Sequence, residues 1–212
     1  MFKNWFGKPD APTTPSIMGL GLKGSFEVDS LLLELVESEM LIEGCAPTQI
    51  IQAVGLVELD GSSLFRFYTD DDAWLQVVVQ GAHEPQNVID VKLFHYWSTL
   101  DMSDQTSWDH YLNNVIGAPE YELEGYRFAR TWESASHIHP PVHMRETTFD
   151  GSADKSVTDQ FVMLYERPLS DGSTESLFLS AEETETAPGK LERCMVISTG
   201  MTLTPSQITI HG

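Results

Sequence analysis

The spacing of apolar positions changes several times along this chain of 212 residues, and each change marks an element. Val28, Leu31, Leu32, Leu35, Val36 and Met40 recur at helical intervals behind Asp29 and Ser30, either of which can cap. This predicts a helix near residues 30–40 with its stripe in the core. From residue 49 the period becomes two. Gln49–Leu59, Leu64–Tyr68 and Trp74–Gln80 read as strands, joined by turns at Asp60-Gly61-Ser62 and Thr69–Asp72. Phe65 and Phe67 share one face of this hairpin, as do Leu75, Val77 and Val79 on its partner. Val88–Trp97 alternates again, with Ile89, Val91, Leu93 and Trp97 on one side; His95 falls on that side, where a hydrogen-bonded core imidazole is the ordinary outcome. Trp108, Tyr111, Leu112, Val115 and Ile116 then restore the helical period over 107–116. Thr106-x-x-Asp109 resembles a capping box before them, and Gly117 and Pro119 stop the helix. His110 lies off this stripe and is expected in solvent.

After Pro119 the pattern is β throughout. Tyr121–Trp132, Val142–Phe149, Asp159–Arg167, Glu175–Ala181, Leu191–Thr199 and Gln207–Ile210 are separated by turn-rich links such as Asp150-Gly151-Ser152 and Ser170-Asp171-Gly172-Ser173. Many short strands in close succession favour an α+β fold dominated by antiparallel sheet, sandwich-like or strongly curved, with two short helices. Residues 17–212 are expected to form a single domain. Residues 1–16, broken by Pro9, Pro12 and Pro15, are expected to be a flexible tail, in which Phe2, Trp5 and Phe6 offer a short apolar cluster to a membrane surface.

Charge narrows the partners. There are 32 acids against 12 bases, a net charge of −20. Such a chain repels phosphate backbones, so nucleic acid is not an expected partner, whereas a basic or membrane-associated protein is. No apolar run reaches the roughly 18 residues needed to span a bilayer, and the N-terminal residues do not form a secretory signal, so a cytoplasmic location is expected. Cys45 and Cys194 are far apart in sequence and are expected to be reduced, partly buried thiols. A homodimer through a free sheet edge is compatible with the pattern.

Candidate chemistry is sparse. Gly19-Leu20-Gly21-Leu22-Lys23-Gly24 satisfies G-x-G-x-x-G but lacks the preceding strand that a dinucleotide site requires. Asp70-Asp71-Asp72 lacks calcium-loop spacing and reads as a solvated hairpin tip. The densest group is Ser136–Glu146, which holds His137, His139 and His143. In extended chain His137 and His139 point the same way, about 7 Å apart at Cα, and two such imidazoles can share a divalent metal. Parity places His143 and Arg145 on one strand face and Glu146 on the other, and Pro140-Pro141 suits a loop entering a strand. No catalytic residue can be assigned.

Arg66-Phe67-Tyr68-Thr69-Asp70-Asp71, Trp74-Leu75-Gln76-Val77, Met163-Leu164-Tyr165-Glu166-Arg167, Asp171-Gly172 and Glu182-Glu183 resemble the YjfK-like family of uncharacterised bacterial proteins, over most of residues 20–210. Genes of that family often sit near those of PspA-like membrane-stress proteins. The resemblance implies a bacterial cytoplasmic accessory protein linked to membrane stress and supplies no catalytic residue. Two functions follow as expectations. One is a non-enzymatic accessory or protein-interaction role. The other is a metal-dependent enzyme or small-molecule binder using His137 and His139, with His143.

Overall fold

The computed structural model describes residues 14–42 and 44–212. The N-terminal cluster of Phe2, Trp5 and Phe6, and all of the proline-broken segment up to residue 13, lie outside the described residues. Twelve strands and two helices follow: β1 (Ser25–Val28), α1 (Ser30–Glu37), β2 (Thr48–Leu59), β3 (Ser62–Thr69), β4 (Ala73–Gln80), β5 (Val88–Asp101), α2 (Gln105–His110), β6 (Glu120–Leu123), β7 (Tyr126–Arg130), β8 (Val142–Phe149), β9 (Ser156–Pro168), β10 (Thr174–Ala187), β11 (Lys190–Thr202) and β12 (Ile208–His211). The predicted predominance of antiparallel sheet, strongly curved and with two short helices, is what the structure shows.

The curvature is complete. Antiparallel pairing runs β2-β3-β4-β5-β11-β10-β9-β8 and returns from β8 to β2, an eight-stranded closed ring. Closure removes the sheet edges along the ring. Two long strands make it possible by taking two partners in succession on one edge. The first residues of β2 pair with β1, which in turn pairs with β12, and its later residues pair with β8. On β9, Ser156–Val162 pair with β8, while Tyr165 and Glu166 pair with β7 of the β6–β7 hairpin.

Alternation along the ring gives an inner and an outer face, and both are largely buried. Outward-facing Phe65, Phe67, Leu75, Val77, Val79 and Leu93 pack with Phe26, Val28, Val36 and Met40 beneath α1 and the β1–β12 pair. Outward-facing Met163, Tyr165, Leu177, Leu179 and Met195 pack with Trp108, Ile116 and Phe128 beneath α2 and the β6–β7 hairpin. The inner face carries Val57, Leu64, Trp74, Phe94, Met144, Val162 and Phe178.

Local details depart from the sequence pattern at both helices and in the Tyr121–Trp132 run, which is not one strand but the β6–β7 hairpin, turning at Glu124 and Gly125. In α1, capped by Asp29 through Leu31 N–H, Val36 is buried but Leu31 and Leu35 are 61% and 66% exposed; an eight-residue helix cannot turn so broad a stripe wholly inward. The second helix is capped by Asp104, which accepts from Ser107 N–H, and it passes into a π-helical turn over Tyr111–Val115. Thr106 is therefore inside the helix and not its cap. Gly24 leads into β1, and the glycine motif forms a turn next to β12. No helix among the described residues is long and apolar enough to cross a membrane.

Candidate functional site

Three groups of polar residues stand out from this frame. The first is inside the ring. Arg66 is 1% exposed, and its neighbours across the rungs are Gly55 and Gln76. Its Nη1 donates to Glu146 Oε2 (2.7 Å) and Gln160 Oε1 (2.6 Å), and its Nε donates to Gln76 Oε1 (3.2 Å). The Tyr68 hydroxyl donates to the other Glu146 oxygen at 2.6 Å. The guanidinium lies 4.9 Å from the Trp74 ring centroid and 5.3 Å from that of Phe178, and Trp74 stacks on Phe94 at 4.4 Å. Burial alone would lower the Arg66 pKa, but the Glu146 carboxylate overrides it and holds the guanidinium charged. Burial, reinforced by Glu146, pushes the Tyr68 hydroxyl well up. Gly55 makes room for the pair: any Cβ there would overlap the Glu146 carboxylate. On the same face, across Gln76 from Arg66, Lys92 Nζ meets Glu166, Ser176 and Thr202. The lumen is thus filled by the protein's own side chains.

Glu182, half-buried, receives a bond from Gln160 Nε2 at 3.3 Å. Burial raises its carboxyl pKa, and Glu146 adds to the effect while Arg66 opposes it. A raised carboxyl contributes stability that is complete below the ordinary glutamate value and disappears as pH rises through the raised one. Glu182→Gln, neutral at every pH and still able to accept from Gln160, is therefore expected to be more stable than the parent at neutral pH. Its urea midpoint should also vary less between about pH 4.5 and 7.5. Parallel melts of the two proteins at both pH values test this; an advantage at acid pH alone contradicts it.

The second group is the histidine-bearing stretch. Residues 131–141 form no strand, and β8 starts only at Val142. Each imidazole has its own surroundings. His137 is exposed, with its carbonyl accepting from Arg130 Nη1 at 3.3 Å. His139 Nδ1 lies 2.6 Å from the Pro140 carbonyl, and its N–H donates to the Gly117 carbonyl. The His143 ring stacks on Phe161 and lies 2.8 Å from Asp159 Oδ1. Parity does assign Glu146 correctly: it points inward to Arg66, while His143 and Arg145 face out.

The third group was not visible as a pattern. Cys45 lies in the α1–β2 connection, Asp71 in the β3–β4 turn and His95 on β5. Their donor atoms come within 4.8 Å of one another, and Cys45 Sγ is 3.1 Å from His95 Nε2. Among the described residues this is the group of three whose spacing suits a metal ion. Asp71 is not simply a solvated tip residue. Its Oδ2 accepts from Ala46 N–H and Gln49 Nε2, both at 2.8 Å. Asp70 Oδ1 likewise accepts from Ile50 N–H, so the acidic turn pins the start of β2. His95, half-buried on the outer face, has its pKa lowered by burial, against the pull of Asp71 and Asp72. Cys194, by contrast, is pushed up to about 11, first by burial and then by Glu182 and Asp101, so it stays a protonated thiol.

Comparison with known proteins adds a family. The family described as "Protein of unknown function (DUF2491)" matches residues 1–209. The chain belongs to this family. It is 28% identical over 215 aligned positions to "Uncharacterized protein YjfK" of Escherichia coli (strain K12), covering 100% of this chain and 98% of that protein. This agrees with the resemblance seen in the strand motifs. No solved structure matches the chain.

Proposed function

We propose that this DUF2491 protein acts by binding, as a cytoplasmic accessory protein whose acidic outer surface meets a basic protein partner. The observation that carries this reading is where the bases go. Of the 12 lysines and arginines, Arg66, Lys92, Arg127, Arg167, Lys190 and Arg193 are held in ion pairs within the chain. The remaining acids therefore dominate the outward field, which steers a cationic partner toward the surface. An eight-stranded ring has room inside for either its own side chains or one small ligand. Here the Arg66 network and the Trp74-Phe94-Phe178 aromatics fill it, which supports contact on the outside. One strip combines both ingredients of a docking surface. Asp159, Glu183 and Glu185 flank Val157 and Leu191, which are 37% and 47% exposed, in a groove over β9, β10 and β11 whose lining also includes the cations Arg145 and Lys155.

The test is cross-linking in host cells followed by capture and mass spectrometry. Cross-links from Lys155, which lines this groove, are expected to converge on one basic protein. Capture should fall steeply as salt is raised, and by about tenfold or more in the Asp159→Lys, Glu185→Lys double variant. Capture that ignores both salt and charge reversal overturns the reading.

A further inference from the structure

We propose that Cys45, Asp71 and His95 form a binding site for one divalent transition-metal ion, zinc being the ion the donor set fits, with a fourth position open to the adjoining cleft. This stands apart from partner docking, since it lies on other strands and rests on other residues.

The donors come from three separated segments that only the folded chain unites. Cys45 is carried by the connection from α1 into β2, Asp71 by the β3–β4 turn, and His95 by β5 at the rung shared with Ala73 and Thr199. Thiolate, imidazole and carboxylate together suit a borderline ion such as zinc, and argue against magnesium or calcium, which take oxygen ligands. Bond lengths near 2.0–2.3 Å at tetrahedral angles put zinc ligands about 3.4–3.6 Å apart. Cys45 Sγ and His95 Nε2 at 3.1 Å, with every donor within 4.8 Å of the others, reach that geometry if their separations change by about 1.4 Å or less.

The surroundings are built as a metal site's supporting shell is built. Gln49 is polar yet 0% exposed. Its Nε2 donates to Asp71 Oδ2 and to the Ala46 carbonyl, and its Oε1 accepts from the Thr69 hydroxyl at 2.6 Å. Thr69 is held in turn by the Ala73 carbonyl. This chain of bonds fixes the Asp71 carboxylate and the backbone next to Cys45 together. Both of these bonds to Asp71 fall on Oδ2. A cleft lined by Asp72, His95, Tyr96, Trp97 and Thr199 opens beside the group and gives a water or a small ligand access to the fourth position. On binding, the Cys45 thiol loses its proton to solvent and the sulfur forms the metal bond, so uptake releases one proton.

The decisive experiment uses the full chain, purified reduced and without a polyhistidine tag, and titrated with cobalt(II) and then zinc(II) against a chromophoric chelator. One ion per chain is expected. The cobalt form should show tetrahedral d–d bands and a thiolate-to-metal charge-transfer band, both lost when zinc displaces cobalt. Cys45→Ser should remove the charge-transfer band, and His95→Gln and Asp71→Asn should each weaken binding about tenfold or more, with thermal melts confirming that each variant folds. Gln49→Met tests positioning: affinity should fall about 10–100-fold while one ion per chain and the thiolate band persist at saturation. The His137→Ala, His139→Ala double variant should bind as the parent does. Absence of a stoichiometric ion, binding indifferent to Cys45→Ser and His95→Gln, or loss confined to the His137/His139 variant overturns the assignment; the last result would move the site to the 131–141 loop.

Discussion

Glu146→Ala is expected to destabilise the protein by about 3–5 kcal/mol in urea or thermal unfolding, and Arg66→Ala by a similar amount. Both side chains are almost entirely shielded, at 2% and 1% side-chain exposure, and their 2.7 Å contact lies inside the ring. Removing Glu146 leaves the guanidinium with Gln76 and Gln160 as neutral acceptors and only the weaker attraction of Glu182 as counter-charge, and it strands the Tyr68 hydroxyl, which donates to that carboxylate. Removing Arg66 leaves the carboxylate beside Glu182 with no cation to offset it, and takes a cation from the faces of Trp74 and Phe178. The cost lies mainly in the orphaned partner and not in the bond itself. Replacing both residues, as Arg66→Met with Glu146→Leu, should therefore recover most of the loss. A double-mutant cycle measures this. Two singles and a double that add, with no recovery, would show that the pair is not a single structural unit.

This pair also shows how far the sequence carries. Strands are legible because their outward positions alternate: Phe65 and Phe67, then Leu75, Val77 and Val79, sit on one face as predicted. What lies on the other face is not legible. Arg66 in a period-two run looks like the solvated side of a half-buried strand, and only ring closure encloses it. Glu146 is assigned correctly to the face opposite His143, but local sequence contains no sign that this face is a lumen shared with residue 66. The candidate metal site is hidden for a similar reason. Local spacing can suggest candidate ligands along one short segment, as at His137 and His139, whereas Cys45, Asp71 and His95 are joined by strand order alone. The one trace available in advance was that His95 falls on an apolar face, where an imidazole must find a partner. β1 escaped because four residues are too few to show a period, and Val28 also fits the start of the α1 stripe.

Gly117→Ala is expected to cost roughly 3 kcal/mol, more than a surface position normally can, because two independent penalties meet there. The residue ends the second helix at φ 92°, a conformation that side chains with a Cβ rarely adopt. A Cβ would also overlap the carbonyl oxygen of His139, which is backbone and has no rotamer to move. The position is tied on every side. Its N–H donates to the buried Tyr165 hydroxyl at 2.9 Å, and its carbonyl accepts from His139 N–H at 2.8 Å and from Arg130 Nη1. These bonds dock the 131–141 loop onto the end of the helix and onto the aromatic cluster under the β6–β7 hairpin. The damage should therefore be local before it is global. Amide exchange is expected to quicken first at Gly117 and His139 and through the loop, while amides of the ring strands β3 and β4 keep their protection at low denaturant. Exchange that rises uniformly around the ring would show that the loop is an integral part of the barrel's cooperative unit. An unchanged midpoint would show that the chain relieves both the strain and the overlap by shifting His139 outward.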